Sequence, residues 1–509
     1  MIKINLLFLF ILVFFLSCQR STDIEIDGTS IVAGNSKISG RIIIPENHNK
    51  DSIQITIGSI HPITAEIVNH PILADSTGKF SLDFEMETAI SYLILYTNIN
   101  PSQFLFVKTK NKDSSYIELT YDSDFMIKNI DVTPSMNKYE ILQGPEVILR
   151  MLKYKRGGNG MEFPRFYDKT KEEFLDSVQS AVDWRLEKSL KNDKIFSKEF
   201  KGILGKNFRQ EVYLAQVFDY ETSMRQNFKN ATGDTVNMPN IQKIDRTYFR
   251  FLKDFDLNDP QNLHIITFPE FQNTILQNEV LGLPIIGEEN IPSWIAKVKS
   301  LLSELVGFDK GQYYDILAAN AFSRQLNEEF KPLTIKQKEN ILQYWKNGEI
   351  AKILFRKNDQ VNELAKLKQP VIVNDISKVS DKNTLEAIIS KYKNKVVLID
   401  LWATWCGPCL EAMGQFRNTK GEFFDKDVAF VYLTNGTSPR NLWEEKIKGI
   451  GGEHYYLTGD QWKYLMNYFD LGYIPSYLIF DKEGDLINKF SGFPGNDKIK
   501  NVLEDLLKN

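Results

Sequence analysis

The sequence predicts a multidomain chain in three parts: an amino-terminal antiparallel β-sandwich, a central mainly α-helical region and a carboxy-terminal α/β domain. Three observations carry this. At 509 residues the chain is too long for one compact core, given about 150 residues per domain. Apolar residues alternate with a period of two up to about residue 120 and then recur with a period near 3.6 up to about residue 370, the signatures of strand and helix. Beyond that point helical stripes alternate with a continuous apolar run of the kind a strand buried on both faces requires. With 42% hydrophobic and 25% charged residues the composition is that of a packed globular protein. Lys+Arg 62 against Asp+Glu 66, net −4, gives no electrostatic footprint for nucleic acid, which excludes that class of partner.

Residues 1–17 read as a secretion signal. Lys3 precedes an apolar run from Leu6 to Leu16, about half the length needed to cross a ~30 Å hydrocarbon core. Phe15-Leu16-Ser17-Cys18 resembles a bacterial lipoprotein lipobox, with Phe15 where Leu is usual. The resemblance implies that Cys18 becomes the acylated first residue and ties the protein to a membrane of the cell envelope, facing the periplasm or the cell surface. The polar residues 18–37 then form a tether.

Residues 38–139 are assigned to the sandwich. Ile53-Gln54-Ile55-Thr56-Ile57 and Phe80-Ser81-Leu82-Asp83-Phe84 alternate, and Asp75-Ser76-Thr77-Gly78 is a turn between runs. Nothing there converges chemically, so the sandwich reads as a spacer, and His48, His61 and His70 as plain surface histidines. Residues 140–370 form the helical region. Leu175, Val178, Val182, Leu186 and Leu190 share one face; Thr334 with Gln337 is a capping-box pair, and Gly348 closes that helix. The aromatic load of Tyr213, Phe218, Tyr220, Tyr313, Tyr314 and Trp345 is assigned to core packing rather than to a groove.

Residues 371–509 open with a helical face of Leu385, Ile388, Ile389 and Tyr392, followed by the buried run Val396-Val397-Leu398-Ile399-Asp400-Leu401 and then Trp402-Ala403-Thr404-Trp405-Cys406-Gly407-Pro408-Cys409. Leu410 to Phe424 continue as a helix, so Cys406 stands at its first turn. Exposed amides and the dipole at a helix start favour thiolate, lowering a pKa of ~8.5 toward ~7 or below, which makes Cys406 the attacking sulfur. Cys409, one helical turn on, can resolve a mixed disulphide. Pro408 suits a first turn, where its missing N–H is no loss. Structural zinc needs four ligands and the mature chain holds no second cysteine pair, so no metal is expected. Haem attachment requires His where Leu410 stands. A passive disulphide closing so short a loop would stabilise little.

These residues resemble the thioredoxin superfamily, in particular the membrane-tethered thiol–disulphide reductases of the TlpA/ResA type, over about 371–509. The resemblance implies a thioredoxin fold and gives roles to further positions. Asp400, six residues before Cys406, matches the buried carboxylate that accepts the resolving thiol's proton. Ile474-Pro475 matches the cis-proline loop that docks substrate backbone, and Trp405 and Trp402 match residues that cover the disulphide and pack the core. Pro475 lies 66 residues beyond Cys409, which places an insertion within Thr437 to Gly459. The Gly407-Pro408 dipeptide and Ile474 are thioredoxin-like and imply reduction of protein disulphides. The chain shows no site for nicotinamide or flavin, so no cofactor is expected and electrons must come from a membrane-spanning donor protein. Two other readings remain: a thiol peroxidase on the same fold, disfavoured because Ala403 stands where Thr or Ser is needed, and a surface-anchored binding or assembly lipoprotein with an auxiliary redox domain.

Overall fold

The computed structural model describes residues 30–45, 53–152, 167–234, 237, 239–329, 331–366 and 370–508. The predicted signal at residues 1–17, Cys18 and His48 lie outside the described residues.

Eight strands come first: β1 (Ile31–Ile43), β2 (Gln54–His61), β3 (Glu66–Leu73), β4 (Lys79–Thr88), β5 (Ile90–Thr97), β6 (Leu105–Lys110), β7 (Ser114–Tyr121) and β8 (Ile127–Thr133). They form two four-stranded sheets, in the orders β4-β1-β7-β8 and β3-β2-β5-β6. Ile38, Ile42, Ile55, Ile57, Leu95 and Ile117 are among the side chains that fill the space between them. The expected turn is present: the Asp75 carboxylate accepts from the Thr77 and Lys79 amides, and Gly78 adopts φ 80°, a conformation that suits a residue without Cβ.

Two expectations are corrected here. The sandwich is not wholly antiparallel, because β1 and β7 run parallel from Lys37↔Ser114 to Ile43↔Thr120. Alternation shows which face a residue takes but not which way a strand runs, and a parallel pair needs only a long connection, here supplied by the intervening strands. Residues 31–37, expected in the tether, already belong to β1, with Ser36 and Lys37 paired to Phe84 and Asp83.

The helices follow: α1 (Lys138–Leu152), α2 (Lys171–Leu186), α3 (Lys198–Gln216), α4 (Tyr220–Thr232), α5 (Phe268–Gln277), α6 (Ile291–Val306), α7 (Tyr313–Asn327), α8 (Ile335–Trp345) and α9 (Glu349–Lys366). The Thr334–Gln337 capping box forms in both directions. Gly348 does not end that helix. Lys346, at φ 54°, breaks it after Trp345, and the Gly348 carbonyl accepts the Lys352 amide in the first turn of α9. Tyr213, Phe218, Tyr220, Tyr313 and Tyr314 are buried in one large core, as their assignment to packing predicts.

That core also takes in Ile60, Ile63, Tyr92 and Phe106 from the sandwich. The connection is the loop between β2 and β3. Asn320 donates to the carbonyls of Pro62 and Ile63 at 2.8 and 2.9 Å, Asn327 to Thr64 at 2.6 Å and Asn273 to Ala65 at 3.0 Å. From the sandwich side, Glu87 accepts the amides of Ile63 and Thr64 and the Thr64 hydroxyl. His61 is therefore not on the surface. It is buried beside Glu87 with Ser59 Oγ 3.1 Å from Nε2, and desolvation holds it down at about 4, in the neutral form.

The carboxy-terminal domain contains β9 (Val371–Asn374), α10 (Thr384–Ile389), β10 (Val396–Leu401), α11 (Gly407–Gly421), β11 (Val428–Asn435), α12 (Arg440–Ile450), β12 (Gly452–Leu457), α13 (Gly459–Tyr468), β13 (Ser476–Phe480), β14 (Leu486–Ser491) and α14 (Asn496–Lys508). The sheet order is β14-β13-β10-β11-β12-β9. An edge strand rather than a helix opens the domain; four residues with no fully buried position leave no alternation to read. The predicted insertion, Thr437 to Gly459, holds α12 and β12. Lys446 of α12 meets Glu328, just past α7, at 3.3 Å.

Replacing Asn320 by Ala removes the Pro62 carbonyl's donor and leaves the Ile63 carbonyl only the Ser323 hydroxyl at 3.3 Å, so urea denaturation is expected to show a loss of about 1–3 kcal/mol, with unchanged redox chemistry at Cys406.

Candidate active site

β10 is buried on both faces, and its period of two sorts its residues. Val397, Ile399 and Leu401 join one apolar layer. Val396 and Leu398 join the other, which also contains Cys406, Cys409, Met413 and Phe416. Asp400, in step with the second set, therefore points under α11.

Cys406 is the N-cap of α11 itself, one position earlier than a first-turn residue, and its Sγ accepts the Cys409 amide at 3.2 Å. The N-terminal dipole and this N–H both favour negative charge on that sulfur. The two cysteines are joined as a disulphide with Cα atoms 5.3 Å apart. Cys406 retains 4% exposure and Cys409 none, so the outer sulfur is the one a second polypeptide can reach. Gly407 and Pro408 occupy the first two helical positions, and Pro408 is exposed.

The Ile474–Pro475 bond is cis. Register brings it to the motif: Ser476 pairs with Leu401, the last residue of β10, so the proline lies at the sheet end from which Trp402 to Cys406 emerge. Ile474 packs on the apolar layer that holds both cysteines. Tyr473, beside it, is exposed, as is Trp405 at 62%. Trp405 thus stands out from the surface beside the disulphide, held by its Nε1 donating to Thr437 Oγ1 at 3.2 Å. Trp402 is wholly buried, in the packing position expected of it.

Sequence reasoning missed the brace behind this loop. Ser438 Oγ accepts the Thr404 amide at 3.0 Å and lies 2.8 Å from Thr434 Oγ1, while Asn435 holds Thr437. The only signal was their position at the start of the predicted insertion.

It also missed the company Asp400 keeps. Asp400 pairs across the sheet with Tyr477 on one side and Tyr432 on the other, and Tyr432 with His454. This row is buried throughout. Above it, α11 contributes Arg417, donating to the Gly449 carbonyl at 2.8 Å, and Lys420. Burial pushes Asp400 up to about 8, opposed by Lys420 and by a hydrogen bond from Tyr477. Burial and Arg417 push Lys420 down to about 7, opposed by Asp400. Desolvation lowers His454 to about 3, so it stays neutral.

Residues 374–506 match the Redoxin family. Over 128 residues the chain is 26% identical to the thiol-disulfide oxidoreductase ResA of Geobacillus thermodenitrificans, covering 25% of this chain and 72% of that one. Over 150 residues it is 29% identical to the thiol-disulfide oxidoreductase YkuV of Bacillus subtilis, covering 28% of this chain and 97% of the relative. A crystal structure of a putative thiol-disulfide oxidoreductase from Bacteroides vulgatus aligns at 27% identity with a TM-score of 0.20, over 23% of this chain and 82% of that one.

An Asp400→Asn substitution is expected to stabilise the protein in a pH-dependent way. An unfolded carboxyl ionises near 3.8 while the folded one holds its proton to about 8. Wild-type stability should therefore fall across that interval, by up to about 1.4 kcal/mol per pH unit. The gain from Asn should be absent below pH ~4 and grow toward pH ~8, as paired urea titrations would show.

Proposed function

With its carboxy-terminal domain a Redoxin-type thiol–disulphide oxidoreductase, we propose that the chain reduces protein disulphides in the bacterial cell envelope, held at the membrane by acyl chains on Cys18. The supporting observation is the asymmetry of the pair: an outer sulfur capping a helix, an inner one shielded behind it, and a cis-proline loop at the same sheet end. No described helix is long and apolar enough to cross a membrane, and the attachment rests on the lipobox resemblance.

In the reduced protein Cys406 is the thiolate. It attacks one sulfur of a client disulphide, forming the Cys406–client mixed disulphide and releasing the other client sulfur as a thiol. Cys409 then gives its proton to Asp400, in the fraction of molecules whose Asp400 is in the carboxylate form, and attacks Cys406 Sγ. The second client thiol leaves, and the Cys406–Cys409 disulphide keeps the two-electron oxidation. Trp405, Gly407, Pro408 and Ile474-Pro475 border the client segment, whose backbone lies along Ile474 as an added strand would. A membrane-spanning donor protein returns two electrons and restores the dithiol. Reduction rather than oxidation requires a potential near the about −270 mV of thioredoxin and far from the about −120 mV of the oxidant DsbA.

In cells, Cys409→Ala should accumulate mixed disulphides that reducing agents release and that Cys406→Ala abolishes. Equal client capture with both cysteines replaced would instead make the chain a binding protein. Cys18→Ser should remove the acyl mass and move the protein from the membrane to the soluble fraction; an unmodified Cys18 in the wild type would refute the anchor.

A further inference from the structure

Helices α11 and α12 start level with each other at one end of the sheet. Each follows one of the parallel strands β10 and β11, so they run the same way. They cover the same face, since Trp443 and Ile447 of α12 share an apolar layer with Cys406, Cys409 and Met413. Ten residues separate Gly407 from Arg417 and nine separate Arg440 from Gly449, and Arg417 donates to the Gly449 carbonyl at 2.8 Å. Neighbouring helix axes lie about 8–10 Å apart. Arg440, the first residue of α12, therefore stands about one such spacing from the cysteine end of α11.

The Arg440 side chain is seated rather than loose. Its guanidinium carbon lies 4.6 Å from the Trp443 ring centroid and 4.7 Å from that of Tyr456, in the corner of a ring pair 5.1 Å apart and inclined at 66°. Nε donates to Glu444 at 3.0 Å. An exposed pair of that kind holds little by itself, so the two rings fix the plane. Asp375, the other carboxylate in its field, accepts from the Ser377 amide. Nη1 and Nη2 have no hydrogen-bond partner among the described residues, and the side chain is 55% exposed. The seat is also tied to the redox centre. Tyr456 donates to the Ser438 carbonyl, and Ser438 Oγ accepts the amide of Thr404, two residues before Cys406. A fork of free donors is thus held at a set distance from the outer sulfur.

Sheet order gives the direction. β13, which carries the Ile474–Pro475 loop, lies on one side of β10, and β11 and β12 lie on the other. A client chain that docks along Ile474 and meets Cys406 with its cysteine runs on past Trp405 toward Arg440. At ~3.3 Å per extended residue, about three residues cover the distance. We propose that Arg440 is a specificity-determining residue of the redox centre: its guanidinium takes the carboxylate of a client Asp or Glu about three residues from the reacting cysteine, as a planar fork suits. The client class is a polypeptide disulphide with an acidic flank. This rests on the reading of the domain as a reductase of protein disulphides given above, and adds which disulphides it prefers. The electron balance is the one already written, with the Cys406–Cys409 dithiol oxidised and the client disulphide reduced.

The test uses the whole chain carrying Cys18→Ser, reduced with dithiothreitol and then freed of it. Three synthetic peptides each close one disulphide and differ only in bearing Glu, Gln or Lys at the third residue outside each cysteine; the peptide dithiol formed is read by acid quench and chromatography. The second-order rate constant should be about fivefold higher for the Glu peptide than for the Gln peptide, and lower again for the Lys peptide. The spread should close at about 1 M salt, where the Debye length falls to ~3 Å. Arg440→Gln should bring the three rates together, and Arg440→Lys, which keeps the charge without the planar fork, should retain a Glu-to-Gln ratio of about two. Dithiodipyridine, which offers no carboxylate, should react equally with Arg440→Gln and with the unsubstituted Arg440 chain. Equal rates for the three peptides when Arg440 is present, a preference that survives Arg440→Gln, or an equal loss toward dithiodipyridine in that variant overturns the proposal. A chain that reduces none of the peptides while its cysteines still react with dithiodipyridine refutes the reductase reading, and the proposal falls with it.

Discussion

The redox domain is organised by how α11 lies on β10. The helix begins where the strand's connection ends, so its first amides meet Cys406, and its body covers the face of the sheet onto which Asp400 points. One packing arrangement thus does two electrostatic jobs. At the helix start, free N–H groups stabilise an anion near solvent. Two turns further on, the same helix removes water from a carboxylate and raises its proton affinity. The two sulfurs lie between these environments, and their difference in exposure follows from that gradient.

Much of this was legible in the chain. The apolar run before Trp402 could only be a strand buried on both faces, and Cys-Gly-Pro-Cys directly after it placed a thiol at a helix start. Asp400 was marked as internal by the four apolar residues before it. Ile474-Pro475 could be matched to a docking loop, but only register, with Ser476 beside Leu401, brings it to the cysteines. The buried cation was harder to see. Cys409, Met413, Phe416 and Lys420 fall at spacings of four, three and four, one face of a helix, and a lysine ending such a stripe is ordinarily read as a solvated cap. What keeps it inside is Tyr432 and the carbonyls of Ile450 and Gly451, brought near only by the tertiary fold.

The sandwich and helical regions show the same division. Periodicity separated strands from helices, and the Thr334–Gln337 cap formed as its residue types require. Strand direction in the β1–β7 pair and the burial of His61 depended on contacts between segments distant in sequence, and the break at Lys346 on a positive φ that its residue type does not announce. His61 is the clearest case. It looked like a surface residue because nothing nearby in sequence needed it, yet it lies beside Glu87, the carboxylate that fixes the loop entering the helical core.

That loop bears on how the chain can be divided. Ile63 and its neighbours are shared property: their side chains belong to the helical core, while their amides are held from the sandwich by Glu87 and their carbonyls by Asn320, Asn327 and Asn273. A truncation placed near residue 139, where the sequence changes from strand to helix, would expose apolar surface on both pieces and strand buried amides in the larger. A cut just before Val371 leaves these loop contacts intact and severs the Lys446–Glu328 pair, so the sandwich and the helical region part from the redox domain more cleanly than from each other.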